Sequence, residues 1–269
     1  MSDIRAKKAL GQNFLTDINT VAMIAEAADI RPEDNVLEIG PGLGVLTHVL
    51  AERAGHVTAI ELDERLFHKL NRELHYKNLD IILGDALKFP YEKLEKKVKV
   101  VANLPYYIST PLISRLLDAR ENILSMVLML QKEVAERLTA PPGGKEYGYL
   151  TVMVRLYADA KILFTVSIEA FDPVPKVDSA VIRLDVLDKP AAPCRDYDLF
   201  EKVVSAAFSQ RRKTLRNTLK GSRLFTLEGI AELEKSGIDP GRRAETLSVA
   251  EFAQLSDFLA DFLAGFRSK

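Results

Sequence analysis

The chain has 269 residues, a length that allows one large domain and one small one. Its 37 basic and 38 acidic residues give a formal net charge of −1, so only a local concentration of basic residues could indicate a nucleic-acid partner. Cys194 is the only cysteine, which excludes an intramolecular disulfide and favours a reducing cytoplasm. The basic N-terminus lacks the apolar region of a secretory signal, and the longest apolar run, residues 123–130, is too short to span a membrane.

Over the first half of the chain, apolar runs typical of strands alternate with amphipathic runs typical of helices. Four strands are predicted, at residues 35–39, 57–62, 81–83 and 98–102. Helical patterns follow the first, the second and the fourth of them. This alternation predicts an α/β fold with a parallel, doubly wound sheet.

A glycine-rich loop at residues 40–44 (GPGLG) joins the first predicted strand to its helix. Glycines let the backbone pass close to a ligand, and the following helix N-terminus adds a favourable local field. Dinucleotide dehydrogenases have a similar loop, but they favour G-x-G-x-x-G. Here the third glycine comes one residue early and Val45 occupies its place, so the loop favours a methyl-donor site over NAD.

Each of the four predicted strands ends at a polar residue. Glu38 precedes the glycine loop, Glu61 lies at the end of the second strand, and Asp85 and Asn103 follow the third and fourth strands. Because ligand sites in open α/β sheets lie at the carboxyl ends of the strands, we expect these side chains to line one site. Taken singly, Glu61 could be a solvated helix cap, and Asp85 could be a turn residue after Gly84.

The sequence Asn103-Leu104-Pro105-Tyr106 precedes Ser109, which we interpret as the N-cap of the next helix. The lone pair of an adenine amine is delocalised into the ring, so the amine is a poor nucleophile. The side-chain oxygen of Asn103 and the carbonyl of Leu104 or Pro105 could accept both amine N–H groups and favour a more nucleophilic nitrogen. Tyr106 could stack on the base. The alternative is a plain strand-to-helix turn.

Three further strands are predicted, at residues 124–130, 161–168 and 179–186. No helix separates the last two, so they are expected to form an antiparallel pair. Phe171 lies between them among polar and proline residues. Its position is compatible with a core residue or with an exposed aromatic platform.

Residues 187–196 contain two prolines and are the predicted linker, and the pattern beyond them is helical. We therefore predict a domain at residues 1–187 and a small, all-helical domain at residues 188–269. The last predicted helix, residues 249–266, has an apolar stripe that indicates core packing. The stripe consists of Phe252, Leu255, Leu259, Phe262 and Phe266.

A basic segment lies in the predicted helical domain. No acidic residue occurs between Ser205 and Arg223, and the spacing of Leu215 and Leu219 would direct them into the core and the arginines outward. Such a run is usually a solvated face, but the absence of acids favours contact with RNA phosphates. The candidate RNA-binding residues are Arg211, Arg212, Lys213 and Arg216.

Neither a metal site nor a cysteine nucleophile is predicted. His68 and His75 are two helical turns apart, on the order of 10 Å, so they cannot share one ion. His48 and His56 lack a neighbouring set of cysteines or carboxylates. Cys194 lies in the predicted linker, which is a poor place for a nucleophile.

Five motifs occur in order along the chain, and together they resemble those of the ribosomal RNA adenine dimethyltransferases, in particular the bacterial enzymes of small-subunit rRNA. The motifs are residues 11–15 (GQNFL), 37–44 (LEIGPGLG), 84–86 (GDA), 103–106 (NLPY) and 171–180 (FDPVPKVDSA). The resemblance covers essentially the whole chain, including residues 208–219, and none of the motif positions departs from the pattern.

The resemblance implies a Rossmann-like methyltransferase domain with a small, all-helical C-terminal domain. It implies S-adenosylmethionine as the methyl donor, without a metal. The expected reaction is N6,N6-dimethylation of two adjacent adenines in a hairpin loop near the 3′ end of 16S rRNA. The expected partner is this rRNA in immature 30S particles, and the expected protein is monomeric, cytoplasmic and not bound to a membrane.

The resemblance also assigns residues to the donor. Asn13 and Leu15 would close over its methionine part, and Gly40 and its loop would pass beside it. Glu61 would hold the ribose and Asp85 the adenine amine. The complete set of expected donor-binding residues is Asn13, Leu15, Gly40, Gly42, Glu61, Leu62, Asp85, Ala86 and Asn103.

The target adenine is assigned in the same way. Asn103 would hold both the donor and the target amine, while Tyr106 and Phe171 would pack against the flipped base. The expected catalytic residues are Asn103, Leu104, Pro105, Tyr106 and Phe171.

Two alternatives stay open at this point. One is a related methyltransferase of large-subunit rRNA, of the resistance type, although Ser109-Thr110-Pro111 and residues 208–219 fit the small-subunit type better. The other is a non-catalytic rRNA-binding assembly factor on the same fold, against which the intact Asn103 and Pro105 argue. Methyl incorporation into unmethylated small and large subunits distinguishes them.

Overall fold

A computed structural model describes residues 4–7, 10–222 and 227–267 of the chain. The chain divides into two compact units. The first contains Met1–Glu136 and Asp159–Val186, and the second contains Arg137–Ala158 and Leu187–Lys269. The predicted boundary after residue 187 falls beside the junction at Val186, but residues 137–158, which we expected in the first domain, belong to the second unit.

The first unit is built on one large sheet and one small one. Its described residues contain nine strands: β1 Phe14–Leu15, β2 Asn35–Ile39, β3 His56–Glu61, β4 Leu79–Leu83, β5 Val98–Asn103, β6 Ile123–Gln131, β7 Ala158–Val166, β8 Phe171–Asp172 and β9 Ser179–Val186. The large sheet has the order β4-β3-β2-β5-β6-β9-β7. Strands β2 to β6 are parallel, whereas β9 runs antiparallel to β6. The predicted doubly wound α/β fold is confirmed.

The small sheet joins two segments that are far apart in the sequence. Strand β1 pairs antiparallel with β8, so that Phe14 lies opposite Asp172 and Leu15 lies opposite Phe171. The N-terminal motif and the proline-rich motif, 156 residues apart in the Leu15–Phe171 pair, therefore meet through the backbone. The sequence analysis did not predict either of these two-residue strands.

Helix α1 Ile18–Ala27 follows β1 of the small sheet. Further helices follow strands of the large sheet: α2 Val45–Arg53, α3 Glu64–Glu73, α4 Ser109–Asp118 and α5 Lys132–Thr139, of which the last begins in the first unit. Asp17 and Asp63 cap α1 and α3 through their carboxylates. Val36, Val101 and Val127 occupy one face of the sheet and belong to the same buried cluster as Ile24 of α1 and Leu50 of α2. This cluster fixes the strand ends in register, which is what a site at the sheet edge requires.

The second unit is helical over its described residues. Its complete helices are α6 Tyr149–Tyr157, α7 Tyr197–Ala207, α8 Leu215–Gly221, α9 Leu227–Ala231 and α10 Val249–Arg267. Phe208 packs between Tyr147 and Phe252, with ring centroids 6.1 Å and 5.9 Å away. Phe252, Leu255 and Leu259 are buried, as the apolar stripe predicts, whereas the side chain of Phe266 lies outside the described residues.

No helix in the described part of the chain is long and apolar enough to cross a membrane.

Candidate active site

A cavity of about 200 Å³ lies in the first unit at the carboxyl ends of β2, β3, β4 and β5. Parallel strands that end at the same edge bring their terminal residues together, as the polar strand ends predicted. Residues 10–15, which precede α1, form another wall of the cavity. Every predicted donor-binding residue lines it: Asn13, Leu15, Gly40, Gly42, Glu61, Leu62, Asp85, Ala86 and Asn103.

The glycine loop forms the floor between β2 and α2. Gly40 and Gly42 have φ angles of 69° and 59°, in the left-handed region that favours glycine. A Cβ atom on Gly42 would lie 3.2 Å from the ring of Phe14, so a side chain there would press on the N-terminal strand. The Gly42 N–H instead points to a carboxylate, donating to Oε2 of Glu61 over 3.2 Å.

Glu61 is buried at the end of β3, with 5% of its surface exposed. Its Oε2 accepts from Gly42, and its Oε1 accepts from the N–H of Asp63 over 2.8 Å. Burial raises its pKa, although these two backbone donors act in the opposite direction. The interpretation of Glu61 as a solvated helix cap is therefore wrong, because Asp63 caps α3 and Glu61 faces the cavity.

Asp85, Leu62 and Ala86 form the end of the cavity beside β3 and β4. Oδ1 of Asp85 accepts the Leu87 N–H over 2.9 Å, so Asp85 is a turn residue as well as a lining residue. Leu62 is 47% exposed, and it presents an apolar side chain at the cavity mouth. A carboxylate beside an apolar side chain suits a flat base that carries an amine.

Glu38 is a further carboxyl group in this cavity, on β2. It is 1% exposed, and its Oε2 has no hydrogen-bond partner among the described residues. Burial raises its pKa, the hydroxyl of Thr47 acts in the opposite direction, and the charge of Glu61 adds to the effect of burial, so that the pKa is about 8. Thr47 Oγ1 also lacks a hydrogen-bond partner in the described chain, so that hydroxyl does not satisfy the carboxyl group.

Asn103 ends β5 at the centre of the cavity wall. Its Nδ2 donates to the carbonyl of Asn13 over 3.3 Å, which leaves Oδ1 as an acceptor. The Pro105 carbonyl already accepts from the N–H of Ile108 at 3.1 Å and from the hydroxyl of Ser109 at 3.2 Å. Two donors occupy both lone pairs of that oxygen, so the Leu104 carbonyl is the better second acceptor for an amine.

The interpretation of Ser109 as an N-cap is wrong. A short 3₁₀ turn, Tyr106–Ile108, precedes α4, and Ile108 occupies the N-cap position. Ser109 is the first helical residue, and its hydroxyl binds back to Pro105. The polar residue at the helix start therefore stabilises the Asn103–Tyr106 turn instead of capping the helix.

Tyr106 lines the cavity, and its hydroxyl lies 2.8 Å from Oγ of Ser179 on β9. Burial raises its pKa, so the phenol stays protonated and available for this bond. Ser179, which is fully buried, was not predicted as a site residue, although it belongs to the motif at residues 171–180.

Phe171 occupies the core, one of the two positions that its sequence context allowed. It is 3% exposed and belongs to the buried cluster that contains Leu15 and Val166. The lining of the cavity does not include it. The alternative of an exposed aromatic platform is therefore wrong, because pairing with β1 places this residue in the core.

The basic residues occupy the second unit and do not form a single helix face. Arg211, Arg212 and Lys213 are exposed in the turn before α8, and only Arg216 lies on the helix. Leu215 and Leu219 are buried as predicted. No acid lies between Ser205 and Arg223 in the sequence, but the guanidinium of Arg216 pairs with Glu234 over 2.8 Å, 18 residues along the chain.

The cavity fits S-adenosylmethionine in the chemistry of its lining. Carboxylates at Glu61 and Asp85 offer acceptors for ribose hydroxyls and a base amine, while the orphan carboxyl of Glu38 offers one for a cation. Gly40 and Gly42 line the floor without placing a side chain on it. In the described residues, no group of three or more His, Cys, Asp or Glu side chains is arranged to hold a metal.

Comparisons with known proteins agree with this description. The family model described as ribosomal RNA adenine dimethylase matches residues 4–261. Ribosomal RNA small subunit methyltransferase A of Clostridium acetobutylicum is 48% identical, covering 95% of this chain and 94% of that protein. The protein of the same name from Moorella thermoacetica is 47% identical, with 93% and 91% covered.

Two solved structures share the fold. A dimethyladenosine transferase from Plasmodium falciparum matches with a TM-score of 0.78 and 28% identity, covering 93% of this chain and 98% of that one. The 23S rRNA methyltransferase ErmE matches with a TM-score of 0.69 and 30% identity, covering 92% and 100%. The fold and the cavity define a Rossmann-like methyltransferase with a helical C-terminal region. The chain belongs to the ribosomal RNA adenine dimethylase family, as its motifs predicted, and it is an rRNA methyltransferase.

Proposed function

We propose that this protein transfers methyl groups from S-adenosylmethionine to N6 of two adjacent adenines in small-subunit (16S) rRNA, in a hairpin loop near its 3′ end. The observation that carries the proposal is the position of Asn103, which ends β5, and of Leu104, which follows it, in the same cavity as Glu61 and Asp85. The names of the relatives at 47–48% identity support the small subunit as the target. The 23S enzyme is 30% identical, which makes the large-subunit alternative less well supported.

The donor would lie across the strand ends. Glu61 would accept hydrogen bonds from the ribose hydroxyls, and Asp85 would accept one from the adenine amine, with Leu62 and Ala86 against the base. Asn13 and Leu15 would contact the methionine part, and the Gly40–Gly42 loop would pass beside it. When bound, S-adenosylmethionine supplies an electrophilic methyl group on a sulfonium.

The target amine would be held by two acceptors. Oδ1 of Asn103 is left free by the Nδ2 bond to Asn13, and the Leu104 carbonyl lies next to it in the chain. Two acceptors on one amine pull its nitrogen towards a tetrahedral geometry and release its lone pair for attack. Tyr106, fixed by Ser179, would pack against the flipped base. Phe171 would support this region from the core, by pairing with Leu15 of β1 and not by touching the base.

The second unit would provide the contact with the ribosomal particle. We assign this role to the exposed basic residues before α8, because phosphate contacts position a protein on RNA without reading its sequence. The particle would be an immature 30S subunit in the cytoplasm, and one copy of the chain would suffice, since every proposed donor and target contact comes from the first unit.

The test is mass spectrometry of the rRNA adenines after incubation of immature 30S particles with the protein and S-adenosylmethionine. We expect two adjacent N6,N6-dimethyladenines in the 16S rRNA and no modification of 50S particles. Asn103→Ala is the matched control, because it removes the amine acceptor and leaves the donor carboxylates in place. Modified 23S rRNA would identify the large-subunit enzyme, and tight 30S binding without any modification would identify an assembly factor.

A further inference from the structure

Asp63 makes an unusual number of contacts for a residue beside the cavity. Its side chain is fully buried. The carboxylate accepts from Nζ of Lys7 at 3.1 Å, from Nε2 of Gln12 at 3.2 Å, and from Nε and Nη2 of Arg65 at 3.1 Å and 2.7 Å. Lys7 and Gln12 lie more than 50 residues from it in sequence, at separations of 56 and 51. One buried carboxylate therefore joins α3 to the N-terminus.

The part of the N-terminus that it binds is folded on itself. We call residues 4–7 and 10–13 the N-terminal segment. The side chain of Gln12 donates to Asp63 and also accepts the backbone N–H of Lys7 over 2.7 Å, which closes the segment into a loop. Arg65 adds a bond of 3.4 Å to the carbonyl of Arg5. Residues 10–13 of this segment line the donor cavity, and a Cβ atom on Gly11 would lie 3.0 Å from the ring of Tyr107.

The simpler interpretation is that Asp63 only caps α3. It does accept the Arg65 N–H over 3.2 Å, as an N-cap residue should. A cap requires one acceptor and no cation, however, whereas this carboxylate has two cationic partners and an amide. The bonds from Arg65, and then those from Lys7 and Gln12, hold the pKa of Asp63 well below its usual range. The carboxylate is thus ionised, and the cap accounts for only one of its bonds.

Asp63 also reaches the donor site through its backbone, since its N–H donates to Oε1 of Glu61. We propose that Asp63 is a positioning residue that holds the N-terminal segment over the donor cavity and thereby slows dissociation of the donor and of its product. The inference rests on the donor site proposed above. Lys7 and Gln12 are the residues through which it acts, and Glu61 is the donor contact that it keeps aligned.

The experiment uses the full-length protein and S-adenosylhomocysteine as the probe. Asp63→Asn retains a good N-cap and the side-chain volume but loses the charge that attracts Lys7. We expect it to raise the dissociation rate of the probe roughly 10- to 100-fold, the range for loss of a charge-assisted hydrogen bond. We also expect faster amide hydrogen exchange in the N-terminal segment, both with and without the probe. Asp196→Asn is the matched control, because Asp196 caps α7 in the other unit, and it should leave both measurements unchanged.

Lys7→Met provides the second variant, because the half-exposed lysine can be changed without disturbing the core. It should reproduce the effect of Asp63→Asn, and the double variant should add little, as expected for two partners of one contact. Unchanged exchange and unchanged dissociation in both single variants would overturn the inference. A faster dissociation in Asp63→Asn alone, with normal exchange in the segment, would also overturn it, because Asp63 would then act only through Glu61. Failure of the wild type to bind the probe would instead refute the proposed donor site.

Discussion

The orphan carboxyl group of Glu38 gives a prediction whose size follows from the structure. The side chain is buried beside Glu61, and its Oε2 has no partner in the described residues. Burial raises its pKa from 4.5 to about 8. One pKa unit corresponds to about 1.4 kcal/mol, so the difference amounts to at most about 5 kcal/mol between the protonated and the ionised form.

The sign of the effect follows from linkage. The unfolded chain ionises Glu38 above its ordinary pKa, whereas the folded chain resists ionisation until about pH 8. The contribution of protonated Glu38 to the free energy of unfolding is therefore fully present below pH 4.5 and is lost as the pH rises to about 8. Glu38→Gln keeps the shape of the protonated carboxyl and cannot ionise. We expect equal stability of the two proteins at low pH and an increasing advantage for the variant, up to about 1.4 kcal/mol per pH unit, between these limits.

Urea unfolding followed by circular dichroism measures this difference, because the chain has no tryptophan to serve as a fluorescence probe. Comparing wild type and variant at each pH cancels the contributions of the other titrating groups to the free energy of unfolding. Glu26→Gln is the control, since Glu26 is exposed. The same change of charge there should give a stability difference from wild type that does not vary with pH. If the difference in free energy of unfolding between Glu38→Gln and wild type does not change with pH, the reasoning is refuted. If the wild type becomes more stable than the variant at high pH, Glu38 pairs with a cation. Saturating S-adenosylmethionine should reduce the advantage of the variant, because a cation in the cavity favours the carboxylate.

The remaining predictions concern catalysis, donor binding and RNA binding. Asn103→Ala should fold normally and lower single-turnover methylation by roughly 10²- to 10³-fold, because it removes a positioned acceptor; a near-wild-type rate would refute its role. Glu61→Ala and Asp85→Ala should each weaken S-adenosylmethionine binding by about 1.5–3 kcal/mol in isothermal titration, without changing rRNA affinity; unchanged affinity in both would exclude the assignment. Replacing Arg211 and Arg212 by Ala should flatten the log–log salt dependence of 30S binding by roughly 0.7–0.9 per lost phosphate contact and leave donor affinity unchanged; identical slopes would show that the two arginines only face solvent.

The sequence was sufficient to predict the large sheet and the residues expected to bind the donor, because both depend on patterns between neighbouring residues. Strand periodicity and the glycine loop determine where β2, β3 and β5 end, and parallel pairing brings those ends together. Glu61, Asp85 and Asn103 therefore reach one cavity without any need to know the packing of the helices.

Contacts between distant segments could not be predicted in this way. Phe171 carries the right residue type for a base platform, but the short pairing of β1 with β8 buries it. The sequence analysis does not single out Asp63, because no local pattern shows that Lys7 and Gln12 fold back onto it. Both differences arise where the N-terminus packs against the rest of the unit, which periodicity does not describe.

The basic segment shows the same limitation for charge. Counting along the chain treats Arg211, Arg212 and Arg216 alike, because no acid lies near them in sequence. In the fold, the guanidinium of Arg216 is paired with Glu234. Binding of a phosphate by Arg216 would therefore require this ion pair to break. Arg211 instead donates to the carbonyl of Lys145, a neutral acceptor that leaves its positive charge uncompensated. We therefore expect the turn before α8 to attract RNA more strongly than the helix itself, and Arg216 to contribute less to the salt dependence than either exposed arginine.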